Sequence, residues 1–188
     1  MSCLLNAGWK LNCPKLSSGI RKIYVIPYNS VGGYGINTDG IITTISTNNS
    51  PFYIFEVPPQ TAEFTEKQIL DDKTGILSWQ STLKINLSKN NYLLRKLYLQ
   101  LLNGRYIFII KDGMGIYWLL GKNYGMEVSE SEVTPGKVFG DFNGNKLTFE
   151  TFEPEPIRQV LSSAFLQSST YSNNNPQDQT ATPEPPQG

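Results

Sequence analysis

The strongest constraint on the fold is a regular alternation between Leu77 and Leu87. Every second residue of the segment LSWQSTLKINL shares one face, and that face carries Leu77, Trp79, Ser81, Leu83, Ile85 and Leu87. Successive side chains of a strand point to opposite faces, so the pattern predicts a long strand with one buried face. Such a strand needs paired neighbours and a second layer over its apolar side.

Further segments have the composition of short strands bounded by turns. Pro27 removes a ladder donor and ends the first of them. The link Asp112-Gly113-Met114-Gly115 predicts a hairpin, and tight turns of this kind favour antiparallel pairing. The predicted strands are 20–26, 41–46, 52–57, 105–111, 116–120, 126–132 and 146–152.

Two segments have the spacing of amphipathic helices. The first follows Ser88 or Asn90, either of which can cap it, and Gly104 is expected to end it in a left-handed conformation. The second follows Pro156, which fits a first helical turn. The apolar stripes are Leu93, Leu94, Leu97, Tyr98, Leu101 and Leu102 in the first, and Ile157, Val160, Leu161, Ala164 and Phe165 in the second.

The pattern as a whole predicts a mainly β fold. We expect one domain over residues 1–166, an antiparallel β-sandwich or partly closed barrel with one packed α-helix. Residues 167–188 form a polar arm rich in Pro, Asn and Gln. This arm has too little apolar surface to offset its ordering entropy, so alone it is predicted to be disordered.

Composition limits the chemistry available to the chain. It has no His, and its two Cys are Cys3 and Cys13. Ser-His-Asp catalysis and His-containing zinc sites are therefore excluded. The two cysteines are predicted to be free thiols rather than a disulfide pair. We predict no catalytic residue, no cofactor and no metal site, and hence a protein that is not an enzyme.

Two motifs only partly match known ligand loops. The Gly-rich loop 28–40 lacks the spacing of a phosphate-binding loop and is predicted to be a flexible projection; its Gly32, Gly33, Gly35 and Gly40 permit positive φ. Asp141-x-Asn143-Gly144 resembles a calcium loop, but its Gly stands at the fourth position instead of the sixth. A type I′ turn at Asn143-Gly144 is the preferred interpretation.

Carboxylates occur in close pairs at three places. Residues two apart on a strand share a face, so Glu130/Glu132 and Glu153/Glu155 could each act as acid and base. The flanking residues are Pro and Ser, with nothing apolar to shift one pKa selectively. We therefore predict solvated charge for all of them: Asp71/Asp72, Glu130/Glu132 and Glu153/Glu155.

The 16 basic and 16 acidic residues cancel, but they are segregated along the chain. Residues 73–111 contain no acid, whereas residues 112–155 are mainly acidic. Surfaces of opposite sign favour head-to-tail association of copies. Two alternatives remain open: Arg95 and Lys96 could contact nucleic acid, or folding could intermingle the charges.

The first residues, MSCLLNAGWKLNCPKL, contain no basic leader and no apolar run long enough to span a bilayer. We therefore expect neither a signal peptide nor a membrane span. Synthesis in a reducing cytoplasm is the corresponding expectation.

The central part of the chain combines a long strand, a leucine-rich helix, a hairpin closing on a WLLG strand, and an LTF strand followed by Glu-Pro. These features lie in KTGILSWQSTLKINLSKNNYLLRKLYLQLLNGRYIFIIKDGMGIYWLLGKNYGMEV and GDFNGNKLTFETFEPEPI. In them the chain resembles tail-tube-like ring proteins of tailed bacteriophages, of the crAss-like or Bacteroides phage type. The resemblance covers roughly residues 70–157.

The resemblance implies a virion structural protein that is made in the host cytoplasm. Its homo-oligomeric rings would contact adjacent tail, portal or connector proteins, and non-specific genomic DNA would pass through the lumen. The predicted contacts lie in the Gly-rich loop, the 112–115 hairpin and the C-terminal helix. They are Val31, Gly32, Gly33, Tyr34, Gly35, Asp112, Gly113, Met114, Ile157, Val160, Leu161 and Phe165.

A β-sandwich that binds carbohydrate or a host surface is the alternative function. Aromatic side chains stack on sugar rings, and Tyr28, Tyr34, Trp79 and Trp118 are the candidates. For the two tryptophans, core packing is the preferred interpretation because both stand among aliphatic residues in predicted strands.

Overall fold

The computed structural model describes residues 19–58, 60–73, 75–88, 92–138 and 141–166. In these ranges the chain forms eleven strands and one α-helix. The strands are β1 Ile20–Pro27, β2 Val31–Ile36, β3 Ile42–Thr47, β4 Tyr53–Glu56, β5 Ala62–Leu70, β6 Leu77–Ser88, β7 Tyr106–Asp112, β8 Tyr117–Leu120, β9 Glu127–Thr134, β10 Gly144–Glu153 and β11 Arg158–Val160, and the helix is α1 Tyr92–Leu102. Two 3-10 turns, Tyr28–Ser30 and Ser162–Ala164, complete the set.

The strands form two sheets. The larger sheet has the order β2-β3-β11-β8-β7-β1-β4, and the smaller has the order β5-β6-β10-β9. Every pairing is antiparallel except that of β11 with β3. Neither sheet closes into a barrel. The prediction of a mainly β, sandwich-like fold with one packed helix is thus confirmed.

The main core lies where residues of both sheets meet. On β6, Ser81, Leu83 and Ile85 are buried, which confirms the face predicted from the alternation. Phe149 of β10 meets Phe108 of β7, with ring centroids 4.7 Å apart. Burying one such large side chain contributes about 1.5–3 kcal/mol.

Helix α1 packs on this core through Tyr98 and Leu101. The helix ends at Leu102 as predicted, but Gly104 does not take a positive φ. Instead, the Asn103 side chain donates a hydrogen bond to the Leu99 carbonyl (2.9 Å). Of the two predicted caps, Ser88 is the last residue of β6, and Asn90 lies outside the described residues.

The second predicted helix, over 157–165, is wrong. Val160 pairs with Ile42 on one side and with Tyr117 on the other, so this segment fills the gap between β3 and β8 as strand β11. Phe165 then packs edge-on against Tyr24, with ring centroids 4.9 Å apart, in a second apolar cluster. Strand pairing and this aromatic contact outweigh the helical spacing.

The prediction of a flexible Gly-rich projection is also wrong. Residues 31–36 form edge strand β2, which pairs with β3. Of the glycines in this region, Gly40 alone takes a positive φ (80°). Gly35 lies directly against Thr44, and a Cβ there would overlap that side chain. Here glycine serves close packing between strands.

The predicted type I′ turn at Asn143-Gly144 does not form. Neither residue has a positive φ, and Gly144 begins β10. The connection from β9 turns earlier, at Gly136 (φ 77°). The Asp141 carboxylate accepts hydrogen bonds from the backbone N–H groups of Lys137 (2.9 Å) and Val138 (3.0 Å). These bonds lower the pKa of Asp141.

Strand β5 was not predicted. Its outer face carries Glu63, Thr65 and Lys67. These polar residues make the apolar inner face, beside β6, hard to recognise in the sequence. The predictions for Cys3, Cys13 and the arm 167–188 concern residues outside the described ranges. Within those ranges no helix is long and apolar enough to cross a bilayer.

Candidate functional site

A cluster of charged and aromatic side chains lies where the chain crosses from the small sheet to the large one. The chain leaves β10 at Glu153 and enters β11 at Arg158. The tight turn between β8 and β9 faces this crossing. Gly121 (φ 74°) and Gly125 (φ 71°) take the left-handed backbone conformation at the two ends of that turn.

The Glu153 side chain stabilises the β8–β9 turn by hydrogen bonds. It is only 4% exposed. Its carboxylate accepts hydrogen bonds from the backbone N–H groups of Asn123 (3.0 Å) and Tyr124 (3.1 Å). Burial raises the pKa of Glu153; the two N–H groups partly oppose this, and the nearby charge of Glu155 adds to it.

Glu155 joins two cations at the crossing. It pairs with Lys122, and its Oε2 lies 2.5 Å from Nη2 of Arg158. The guanidinium also donates to the Gly40 carbonyl (3.1 Å). Partial burial would raise the pKa of Glu155, but the hydrogen bonds and charges of Arg158 and Lys122 outweigh it and lower the pKa to about 2.

The prediction of solvated charge is therefore wrong for the pair Glu153/Glu155. Pro154 and Pro156 suggested a surface segment, whereas the crossing turns these carboxylates toward the β8–β9 turn. Environments that push two carboxyl pKa values apart occur in acid–base catalysis. Here, however, both groups are bonded to their own chain, and the adjoining cavity of about 10 Å³ has room for one water. The arrangement fits a structural role. We call the group Lys122, Glu153, Glu155 and Arg158 the clamp.

A larger cavity of about 110 Å³ lies under β2, next to the clamp. Tyr28 donates its hydroxyl to the Asn123 carbonyl (2.5 Å). The buried Tyr34 hydroxyl has no hydrogen-bond partner among the described residues. Burial, and to a smaller extent Tyr28 and Glu153, raise the pKa of Tyr34. The cavity is lined by Tyr28, Val31, Gly32, Gly33, Tyr34, Ile107 and Lys122.

Two of the predicted contact residues are not exposed on the subunit surface. The side chains of Val160 and Phe165 are buried within the subunit. Met114, at the tip of the β7–β8 hairpin, is 59% exposed. The other candidates are exposed or partly exposed: Val31, Gly32, Gly33, Tyr34, Gly35, Asp112, Gly113, Ile157 and Leu161.

The 112–115 hairpin is confirmed and is held by a single carboxylate. Asp112 Oδ1 accepts from the backbone N–H groups of Met114 (2.8 Å) and Ile116 (2.9 Å). Its Oδ2 accepts from the indole N–H of Trp118 (3.1 Å). Trp118 is half-buried and anchors the hairpin, which is a structural role.

An apolar surface that the sequence analysis missed lies at the tip of the β5–β6 hairpin. It consists of Ile69, Leu70, Ile76 and Leu77, and we call it the hairpin end. These side chains are 37–63% exposed. Trp79 is the first β6 residue that pairs with β10. The hairpin tip, which precedes Trp79 in β6, therefore projects beyond the end of β10. The alternation predicts a buried Leu77, but this side chain is 42% exposed, because it pairs with Leu70 of β5 and has no β10 residue opposite it.

The charges segregated along the sequence are partly intermingled by folding. Arg105 of the basic segment 73–111 pairs with Glu127 of the acidic segment 112–155 (2.5 Å). The alternative of intermingled charge is thus supported for these groups. Arg95 and Lys96 remain exposed on α1, a helix without acidic residues.

No group of three or more Cys, Asp or Glu side chains that could hold a metal occurs in the described part of the chain. No protein-family model matches this sequence, and searches of curated proteins and of solved structures give no significant match.

Proposed function

We propose that this protein is a structural subunit that assembles with copies of itself and performs no catalysis. The hairpin end carries the proposal. Four aliphatic side chains are exposed on the two faces of a two-stranded projection: Leu70 and Leu77 pair on one face, and Ile69 points to the other. Exposed aliphatic side chains grouped at one tip mark an interaction surface, and a two-stranded projection gains stability when another element covers it.

The open edges of both sheets support the same proposal. The edge strands are β2 and β4 in the large sheet and β5 and β9 in the small one. Free edges have unpaired backbone groups to which another chain can add. Because the two edges of one sheet differ, contacts through them are head-to-tail and can close into rings.

The biological setting of the proposal comes from the sequence resemblance. We propose a ring-forming tail or connector component in the virion of a tailed bacteriophage. Its partners would be adjacent tail, portal or connector proteins, with the genome passing through the ring. The sandwich with one helix is compatible with this setting, as the resemblance requires.

Light scattering after size exclusion, combined with negative-stain imaging, tests the proposal. We expect a concentration-dependent shift from monomer to oligomers, with closed rings in the images. A control at high ionic strength separates charge-driven from apolar assembly. A strictly monomeric protein at every concentration would overturn the proposal.

Carbohydrate binding is a second candidate, favoured by the cavity under β2. The buried hydroxyl of Tyr34 has no hydrogen-bond partner among the described residues, and Tyr34 and Lys122 both line this cavity. Glycan-array binding that is lost on Tyr34→Ala, with unchanged circular dichroism, would support this candidate. Full retention of binding in the variant would exclude the cavity as the binding site.

A further inference from the structure

We propose that the hairpin end of one copy docks on the exposed face of helix α1 in the next copy. This inference rests on the proposed self-assembly and names the two surfaces that make the contact. The occupant of the helix face is thus a second copy of this chain. The contact is heterologous, because each copy contributes a different surface to it.

The donor surface is apolar with an acidic margin. Leu70 and Leu77 are paired across the hairpin, and Ile76 is next to them. The turn that joins the two strands contains Asp71, Asp72 and Lys73. The hairpin end therefore has an apolar centre and an excess of negative charge.

The receiving surface has the opposite charge. The inner side of α1 is committed to the core through Tyr98 and Leu101. Its outer side exposes Leu99, which is 46% exposed, together with Arg95 and Lys96. A basic face with one aliphatic residue complements an aliphatic tip whose turn has two acids and one Lys.

One copy cannot make this contact with itself. The hairpin end and the start of α1 lie at opposite ends of β6, a strand of 12 residues. At roughly 3.3 Å per residue, the two ends of β6, Leu77 and Ser88, are on the order of 36 Å apart. The two surfaces can meet only between copies, and repetition of the contact gives a ring or a stack.

A charge exchange between exposed residues tests the contact in the full-length protein. Asp72→Lys and Lys96→Glu each place like charges across the interface, so each should raise the dissociation constant of assembly about tenfold. The double variant, D72K/K96E, restores opposite charges and should recover most of the affinity. Sedimentation velocity at low salt measures all three variants against the wild type.

The apolar part is tested by Leu70→Ser, which should weaken assembly at high salt as well. Val138→Ser is the matched control, because Val138 is an aliphatic residue that is 72% exposed elsewhere on the surface. Lys137→Glu is the corresponding charge control. Both controls should assemble like the wild type, and thermal unfolding verifies that every variant is folded.

The outcomes separate this contact from the proposed function. If the wild type assembles but the single charge variants are unaffected, or the double variant shows no recovery, the contact is wrong and self-assembly stands. If the wild type stays monomeric, both are overturned. Binding of duplex DNA that disappears in Lys96→Glu, with assembly unchanged, would assign the helix face to nucleic acid instead.

Discussion

Glu153 and Asn145 lie on the same face of β10 and are both buried, yet their environments are opposite. The Glu153 carboxylate accepts hydrogen bonds from two consecutive backbone N–H groups. The Asn145 amide has no partner for its oxygen or its nitrogen among the described residues. The Glu153 side chain therefore stabilises the folded structure, whereas the Asn145 side chain destabilises it.

The difference shows what a buried polar group needs. A lost hydrogen bond in the interior costs about 1–3 kcal/mol, whereas a bond that is made contributes about 1 kcal/mol net. Glu153 meets a turn whose N–H groups would otherwise be unpaired. Asn145 is opposite Leu87 and Val133, which offer no side-chain hydrogen bond.

The largest effect is expected from removing the Glu153 carboxylate. Glu153→Ala leaves the N–H groups of Asn123 and Tyr124 without their acceptor. We expect the free energy of unfolding to fall by about 3 kcal/mol, measured by urea denaturation.

Glu153→Gln is the matched control, because its amide oxygen can still accept. It should lose roughly half as much as the alanine variant. Equal losses in the two variants would show that charge, and not the hydrogen-bond acceptor, holds the turn.

The pH dependence of stability gives the next largest effect, and it depends on Glu155. The pKa of Glu155 is lowered to about 2 from 4.5, so its contribution is complete above pH 4.5 and is lost as the pH falls toward 2. With a side chain 27% exposed, this contribution is on the order of 2 kcal/mol after solvent screening.

Comparison with Glu155→Gln isolates this contribution from those of the other carboxylates. The stability difference between the wild type and this variant should be largest near neutral pH and mostly absent at about pH 2.5. Glu153 acts with the opposite sign, because its raised pKa favours the folded state when that group is protonated. A pH-independent difference would show that Glu155 is not stabilised as an anion.

The sequence predicted the centre of β10 but not its two ends. The alternation in KLTFETF correctly places Leu147 and Phe149 in the core. Asn145 and Glu153 lie on the same face of β10, but polar residues do not by themselves predict burial. Their burial follows from the register that sets them opposite Leu87 and Trp79. That pairing joins residues far apart in sequence, and no local pattern contains it.

The same reason explains the errors at the candidate surfaces. Local spacing predicted a helix for 157–165, whereas the gap between β3 and β8 requires a strand there. The hairpin end was missed because its exposure depends on where β10 stops. Strand faces and hairpins were predictable from neighbouring residues; clamps and exposed patches were not.

Replacing Asn145 by an apolar residue of similar size sharpens the comparison. Asn145→Leu removes an amide that has lost its hydration without gaining a partner. We expect the free energy of unfolding to rise by about 1 kcal/mol in urea denaturation. A loss of similar size would mean that the amide is hydrogen bonded in solution, for example to a buried water.

The smallest effect is expected at Ser81, which extends the comparison to the neighbouring strand. Its hydroxyl is also buried without a partner in the described part of the chain, on the inner face of β6. Ser81→Ala removes one polar atom and leaves almost no cavity, so stability should rise by about 0.5 kcal/mol. Ser81 is opposite Thr151, six residues along β10 from Asn145, which is roughly 20 Å at the spacing of a strand. The gain should therefore add to that of Asn145→Leu in the double variant, and a loss of stability in Ser81→Ala would show that the hydroxyl is hydrogen bonded in solution, for example to a buried water.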